Sequence, residues 1–394
     1  MRRGTFVAGL LCLIIGVTGC HPGAPPPILI GHVSDNARPD KAGQQAERGI
    51  RLALHELAKG DALAEEFNGR GLEVRHTDTR GQVDAFESQA VRLDSVNRCL
   101  ALIGGLSVPE TVALNGAKVP VLTLQGQPAP GATNLVFYIG VSPGRQGTVL
   151  ASVVADDAKV KKITILMNDK RPDAVAFVDA FQKTFLATTK NPTAATIQSI
   201  RFSDEVNPPI RLGEDLRWRE MIERMVNQEP QAVVFAGSVH DFNLWRKVLR
   251  REFPDFKPRV IYAGGDGDHR LFDLHAGETK AILLASAFYA DAADPKIAAF
   301  MKAYQTAFAL EADVHAANAY DGMRILVEAI KASGPTPTPE RVRENLLKIK
   351  DFPGLTGLLT VTGERKVQRP VFVVGWQNGA LKLVKTFGSG HQGN

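Results

Sequence analysis

The strongest constraint on how this 394-residue chain can fold is an alternation of strand-like and helix-like segments that runs through twice. ILIGHVS (28–34) is an apolar, β-branched run, and QQAERGIRLALHELAKG (44–60) places Ile50, Leu54 and Leu57 on one helical face. LEVRHTD, DAFESQAVRLDSV, CLALIGG, PETVALNGAK, VPVLTLQ and LVFYIGVSP carry the rhythm onward. It restarts with a helix over 145–157, then the strands KKITILMND, TIQSIRFS, QAVVFAG and RVIYAGG separated by the helices DAVAFVDAFQKTFLATT, REMIERMVNQEP and FNLWRKVLRRE. Strands separated by helices and short loops predict parallel sheets covered on both faces. A chain of this length exceeds one ordinary core, so the expected class is α/β with two doubly wound lobes. AILLASAFYA adds a strand, 295–349 holds only helical patterns, and GLLTVTG with PVFVVGWQNGALKLVKTF reads as β-hairpin-like, Asn378-Gly379 being its tight turn.

The N-terminus sets the compartment. Arg2 and Arg3 precede the apolar TFVAGLLCLIIG, which is short for a permanent span and ends in Val17-Thr18-Gly19-Cys20. The pattern resembles a bacterial lipobox, so 1–19 is expected to be a lipoprotein signal peptide and Cys20 the acylated first mature residue. The alternative is an ordinary secretory signal with an incidental Cys. HPGAPPP then makes a proline-rich spacer, 20–27 including the lipidated Cys. With Cys12 removed and Cys20 acylated, Cys99 stands alone at the head of an apolar run, and its expected role is a buried core thiol without a disulfide.

A net charge of +5 arises from 47 basic residues intermixed with 42 acidic ones, which describes a solvated surface and argues against nucleic acid. The nine histidines show no metal-ligand spacing, and there is no G-x-S-x-G elbow or paired-acid cluster, so neither metal, cofactor nor catalysis is expected. Trp218, Trp245 and Trp376 fall in helical or strand patterns, where core packing is the expected role. In open parallel sheets ligands bind beyond the carboxyl ends of the strands. The loops to read are therefore 34–38, 77–80, 104–111 and 124–128 in the first unit, and 168–173, 237–241 and 264–269 in the second.

The ordered landmarks CLALIGG before PETVAL, VPVLTLQ, FYIGVSPGRQG, VIYAGGDG, AYDGMRILVEAIKASG and FPGLTGLLTV resemble the type I periplasmic binding proteins, specifically the branched-chain amino-acid binding group, over most of 28–388. The resemblance implies a lipid-anchored solute receptor of the cell envelope, not an enzyme, which closes two lobes on a small molecule and hands it to the permease of an ABC importer. It implies lobe 1 over 28–143 plus 290–350, lobe 2 over 144–289 plus 351–388, a tail at 389–394, and crossings near 142–145, 287–291 and 350–354. It assigns the ligand carboxylate to Ser107 and Thr111, although Val108 and Pro109 stand where the group has hydroxyls. Gln125, Gly126 and Gln127 correspond to its next polar segment, without the usual Thr. Asp266, in VIYAGGDGDH, matches the carboxylate that takes a ligand ammonium; the alternative for Asp266 and Asp268 is capping of the next helix. Where the group carries Tyr-Gly, this chain reads Asn168-Asp169-Lys170-Arg171-Pro172-Asp173, so Arg38 and Arg171 either enter the pocket or are solvated loop charges. His240-Asp241 either lines the cleft or caps the helix that follows. A different class of function remains open: an envelope sensor or assembly lipoprotein that keeps the fold and binds a partner protein.

Overall fold

The computed structural model describes residues 25–38, 40–58, 65–190, 192–202, 214–264, 281–377 and 380–389. Asp266, Asp268, Cys20 and the Asn378-Gly379 turn lie outside these residues.

The first sheet contains β1 (Ile28–Ser34), β2 (Leu72–Asp78), β3 (Ala101–Gly104), β4 (Val121–Thr123) and β5 (Val136–Tyr138), all parallel in the order β2-β1-β3-β4-β5. Alternation along β1 divides its two faces. Ile28 and Ile30 join the core shared with α1 (Ala42–Leu57), whereas Val33 joins Phe86, Ala90 and Leu93 from α2 (Asp84–Val91) and the π turn that continues it. Cys99 is a buried free thiol in that second cluster, pushed up to about 11 by burial.

The second sheet repeats the plan with β6 (Lys162–Asn168), β7 (Thr196–Phe202), β8 (Ala232–Ala236), β9 (Arg259–Tyr262) and β10 (Ala281–Ser286) parallel, extended by the antiparallel hairpin β14 (Val371–Gln377) and β15 (Ala380–Phe387). Its order is β15-β14-β10-β9-β8-β6-β7. In both sheets the strand order reverses beside the first strand of the unit, which is where doubly wound sheets open a crevice. α4 (Pro143–Ala155) packs along α5 (Pro172–Thr188). α6 (Glu214–Val226) and α7 (Val239–Glu252) bring Trp218 and Trp245 to within 6.0 and 5.4 Å of the Phe235 ring. The tryptophans are thus core residues, as their patterns predict: Trp218 and Trp245 are buried and Trp376 packs against the same cluster.

After β10 the chain leaves the second sheet for α8 (Pro295–Phe308) and α9 (Val314–Lys331), and α9 lies along α1 of the first unit. It continues through α10 (Pro339–Leu346) to a small antiparallel sheet of β11 (Phe352–Gly354), β12 (Gly357–Val361) and β13 (Val367–Gln368), and then rejoins the second sheet at β14. GLLTVTG therefore belongs to this small sheet, while PVFVVGWQ pairs with β10. The chain passes between the large sheets three times, giving two lobes. The small sheet is tied to the end of β5, where the first of these passages begins, through a bridge from Lys366 to Tyr138.

Two helices start earlier than the pattern predicts, because capping residues precede the apolar run. Ser142 Oγ accepts Arg145 N–H and Pro143 opens α4; Ser238 caps α7 in a capping box with Asp241, so Asp241 is the third helical residue rather than the cap itself. Among the described residues no helix is long and apolar enough to cross a membrane.

The first lobe carries a titratable pair in its sheet. His32 of β1 is fully buried and faces His76 of β2 in register, their Nδ1 atoms 2.9 Å apart. One ring must donate and the other accept, so the pair is built for two neutral imidazoles. Burial, then the neighbouring His76 and Arg51, hold His32 well below the usual histidine range; burial also lowers His76, although Glu47 opposes it. An unfolded histidine protonates near pH 6.5 while the folded pair resists, so the unfolded state binds more protons below that pH and stability falls as pH drops. The slope for His32 reaches about 1.4 kcal/mol per pH unit. Denaturant titrations should show loss of stability between pH 7.5 and 5.5, and a shallower loss in His76→Gln, which keeps a hydrogen-bonding amide but does not titrate. A wild-type profile flat over this interval would contradict the neutral pair.

Candidate ligand-binding cleft

A cleft of about 570 Å³ opens between the two lobes. From the first lobe it is lined by Arg38 and Asp40 after β1, 106–109 after β3 and 125–127 after β4; from the second by 170–173 after β6, Val239 after β8, and Ala263 and Gly264 after β9. His315 at the start of α9, Val141 and Pro143 of the first passage, Gln146 in α4 and Phe177 in α5 add to the wall. These are loops at the carboxyl ends of parallel strands, as the doubly wound plan requires. The loop at 77–80 does not reach the cleft, because β2 is an edge strand; Asp78 instead accepts Asn36 and Arg80 N–H at 3.0 and 2.9 Å.

Ser107 caps α3 (Val108–Ala113), its Oγ accepting Glu110 N–H at 3.4 Å, and its residue lines the cleft. Val108 and Pro109 line it as well, giving that wall an apolar patch. Thr111 is fully buried behind the wall. Its Oγ1 donates to Ser107 O at 2.9 Å, accepts from Gln125 Nε2 at 3.1 Å, and lies 2.9 Å from Thr123 Oγ1. Thr111 therefore braces Gln125 rather than facing the cleft. Gln125 lines the cleft, but its amide is spent on Gln127: Nε2 donates to Gln127 O at 2.6 Å and Oε1 accepts Gln127 N–H. The arrangement brings Ser107, Gln125, Gly126 and Gln127 together, with Thr111 as support.

Glu110 was not singled out by sequence reading, and it organises this half of the site. It is 3% exposed; Oε2 accepts Leu106 N–H at 2.6 Å and Oε1 accepts Arg38 Nη1 at 3.0 Å. The signal that could have found it is the spacing Ser107-x-x-Glu110, the capping-box pattern. Arg38 also forks onto Asp40, Nε to Oδ1 at 3.0 Å and Nη2 to Oδ2 at 2.7 Å. The bond to Asp40 and then the Asp40 and Glu110 charges outweigh burial and hold the guanidinium more firmly protonated than usual. Burial alone would raise Asp40, yet its bonds to Arg38 and Ala42 N–H hold it below the usual carboxylate range. Arg38 is thus a built part of the cleft rather than a solvated charge. Opposite it, Arg171 donates to Asp173 Oδ2 at 2.8 Å, and exposed Lys170 stands beside it. Among the described residues no group of three or more His, Cys, Asp and Glu side chains could hold a metal.

Gly126 is required by the approach of its loop to the first interlobe passage. A Cβ there would lie 2.4 Å from Val141 O and 2.6 Å from Gly140 O.

Two doubly wound lobes joined by three passages, with a polar cleft between their strand ends, define a ligand-trapping receptor. A family model described as periplasmic binding protein matches residues 27–380, and the chain belongs to that family. Its similarity to solved structures extends along nearly the whole chain. A leucine binding protein, LivK, from Thermotoga maritima MSB8 superposes with a TM-score of 0.73 at 18% identity, covering 92% of this chain and 99% of its own. LivJ from Streptococcus pneumoniae, in complex with isoleucine, gives 0.69 at 18% identity, with 91% and 99% covered. A solute binding protein of an ABC transporter from Rhodopseudomonas palustris BisB5, in complex with 3,4-dihydroxybenzoic acid, gives 0.72 at 16% identity, with 92% and 98% covered. A comparison with curated proteins finds no match. The family is one of extracytoplasmic solute receptors that are not enzymes.

Gly126→Ala should shift the loop or the passage, because the neighbouring atoms are backbone and cannot rotate away. The expected cost is about 1–3 kcal/mol, seen as a lowered Tm of the ligand-free protein. An unchanged Tm would mean that the loop and the passage do not meet so closely.

Proposed function

We propose that this protein is a lipid-anchored solute receptor that captures a small acid, an amino acid or a related compound, between its lobes and delivers it to an ABC importer. The observation that carries this reading is the cleft itself, with a fixed guanidinium on each side, Arg38 from the first lobe and Arg171 from the second. A ligand that touches both lobes favours the closed arrangement by the difference in its contacts between open and closed, which is all that closure requires. The volume suits a molecule of amino-acid or aromatic-acid size.

The internal chemistry of the first lobe narrows the pose. Leu106 N–H, which would otherwise point at a ligand carboxylate, is held by Glu110, and the Gln125 amide by Gln127. An acidic ligand is therefore expected to pair with Arg171 and Lys170, with Arg38, held by Asp40 and Glu110, shaping the opposite wall, and with Ser107, Gln127 and the backbone at Gly126 contacting its body. Asp266 is proposed as the partner of an ammonium group where the ligand has one. In this reading the lobes follow the boundaries expected from the sequence, and acylation of Cys20 holds the receptor at the membrane through the spacer 20–27.

Native mass spectrometry of protein purified without added ligand should reveal a bound small acid. Its return to stripped protein should raise Tm by several degrees at about a hundredfold excess over Kd. Arg171→Gln should weaken that binding by at least about tenfold with little change in the ligand-free Tm. If no solute from a panel of amino acids, aromatic acids, amides and sugars shifts Tm, the partner-binding sensor or assembly role takes precedence. The anchor is checked separately: labelled fatty acid should enter the wild type and not Cys20→Ala, and label in the variant would remove the anchor.

A further inference from the structure

Behind the interlobe passage that lines the cleft is a second cavity, of about 520 Å³. The passage divides the two spaces by alternation: Pro143 and Gln146 face the cleft, whereas Gly140, Ser142, Arg145 and Thr148 face the cavity, with Val141 touching both. The far wall is the turn between β12 and β13, including Thr362 and Lys366, with Val371 of β14. The cavity thus touches two of the three passages between lobes.

Three polar groups on its wall, Arg145, Ser142 and Thr362, have donors left over among the described residues. Arg145 Nη2 donates to Gly388 O at 2.9 Å, while Nη1 is closed off from water with no partner among the described residues. No carboxylate among those residues pairs with this guanidinium, and burial pulls it below the usual arginine range. Ser142 Oγ accepts Arg145 N–H at 3.3 Å and Thr362 Oγ1 accepts Lys366 N–H at 3.3 Å, which leaves both O–H groups to donate. The lining charges are Arg145, Lys366, Arg369 and Glu364. Arg369 is neutralised by Asp321, and Lys366 by Glu364, whose side chain is 75% exposed. The excess is one positive charge, centred on Arg145.

We infer that this cavity is a second ligand site, for a small oxyanion bound by the Arg145 guanidinium with the Ser142 and Thr362 hydroxyls. A partly desolvated guanidinium gains more from an oxyanion than from water, and its planar fork fits two oxygens of a carboxylate or a phosphate. Rotation of the fork onto the anion also relieves the unpartnered Nη1. An anion there joins the first passage to the small sheet, so its occupancy is coupled to the relative position of the lobes and, by linkage, to the cleft. The site does not depend on what the cleft binds.

The test is calorimetric titration of the full protein with inorganic phosphate and, separately, with succinate, against sodium chloride at matched ionic strength. The expected result is saturable binding of at least one of the two. Arg145→Gln should weaken it by at least about tenfold and Thr362→Val by a smaller factor, with thermal melts confirming that both variants fold. Arg171→Gln, which alters the cleft and not this cavity, should leave it unchanged. The two probes distinguish a carboxylate site from a phosphate site. The inference is overturned by the absence of saturable binding of either anion to the wild type. It is equally overturned by wild-type affinity in both Arg145→Gln and Thr362→Val, or by loss of binding only in Arg171→Gln, which would place the anion in the cleft.

Discussion

The joint between the lobes depends on one buried ion pair. Arg369, between β13 and β14, is 3% exposed and donates from Nη2 to Asp321 Oδ2 of α9 at 3.1 Å. The same guanidinium reaches Asn318 Oδ1 at 2.8 Å, Thr356 Oγ1 at 3.3 Å and Ile139 O at 3.4 Å, while Asp321 Oδ1 accepts Leu355 N–H at 2.8 Å. A helix of the first lobe, the first passage and the small sheet therefore meet on two charges. Burial pushes the Asp321 carboxyl upward, and Arg369 and the Leu355 amide oppose it. Such a pair contributes little net stability against an apolar replacement, but removing one member typically costs about 3–5 kcal/mol because the other is left buried alone. Its value here is geometric: five hydrogen bonds in fixed directions set where three segments cross.

That geometry places the cleft. With the passages fixed, the carboxyl ends of β1, β3 and β4 face those of β6, β8 and β9, and loops that are far apart in the chain share one space. The first lobe has largely satisfied its own donors. Glu110 takes the Leu106 amide and one arm of Arg38, and Thr111, Gln125 and Gln127 close a small network of their own. A preorganised wall of this kind presents a fixed surface to a ligand and spends little entropy on binding. In the proposed reading, selectivity then falls to the charges that the second lobe presents to the space, Lys170 and Arg171.

Much of this was legible from the chain alone, for physical reasons that can be named. Apolar runs at strand and helix periods reveal the sheet plan because burial requires them, and Ile50 and Leu54 do lie on the face of α1 turned to the core. The loops that hold Ser107, Gln125, Gly126 and Gln127 were accessible because strand ends place them at the cleft, and the family resemblance pointed to these residues within them. Thr111 illustrates the limit: the right loop identifies the residue, but only the packing of Thr123 and Gln125 around it shows that its hydroxyl is turned inward. Glu110 carried only the weak signal of a capping box, and Arg38 looked like any loop charge until its two carboxylate partners, one of them 72 positions away, came into contact.

The amino-acid sequence by itself determined the two doubly wound units and most of the loops that converge on the cleft, since both follow from local periodicity and from the rule that parallel sheets open at their carboxyl ends. Only the tertiary structure decided which side chains spend their hydrogen bonds internally and which are left for a ligand. The Arg369–Asp321 pair, the Glu110 bridge to Arg38 and the His32–His76 contact all join residues more than 40 positions apart. A hydrogen bond needs atoms placed to within a few tenths of an ångström, and no spacing along a chain specifies that before the chain has folded.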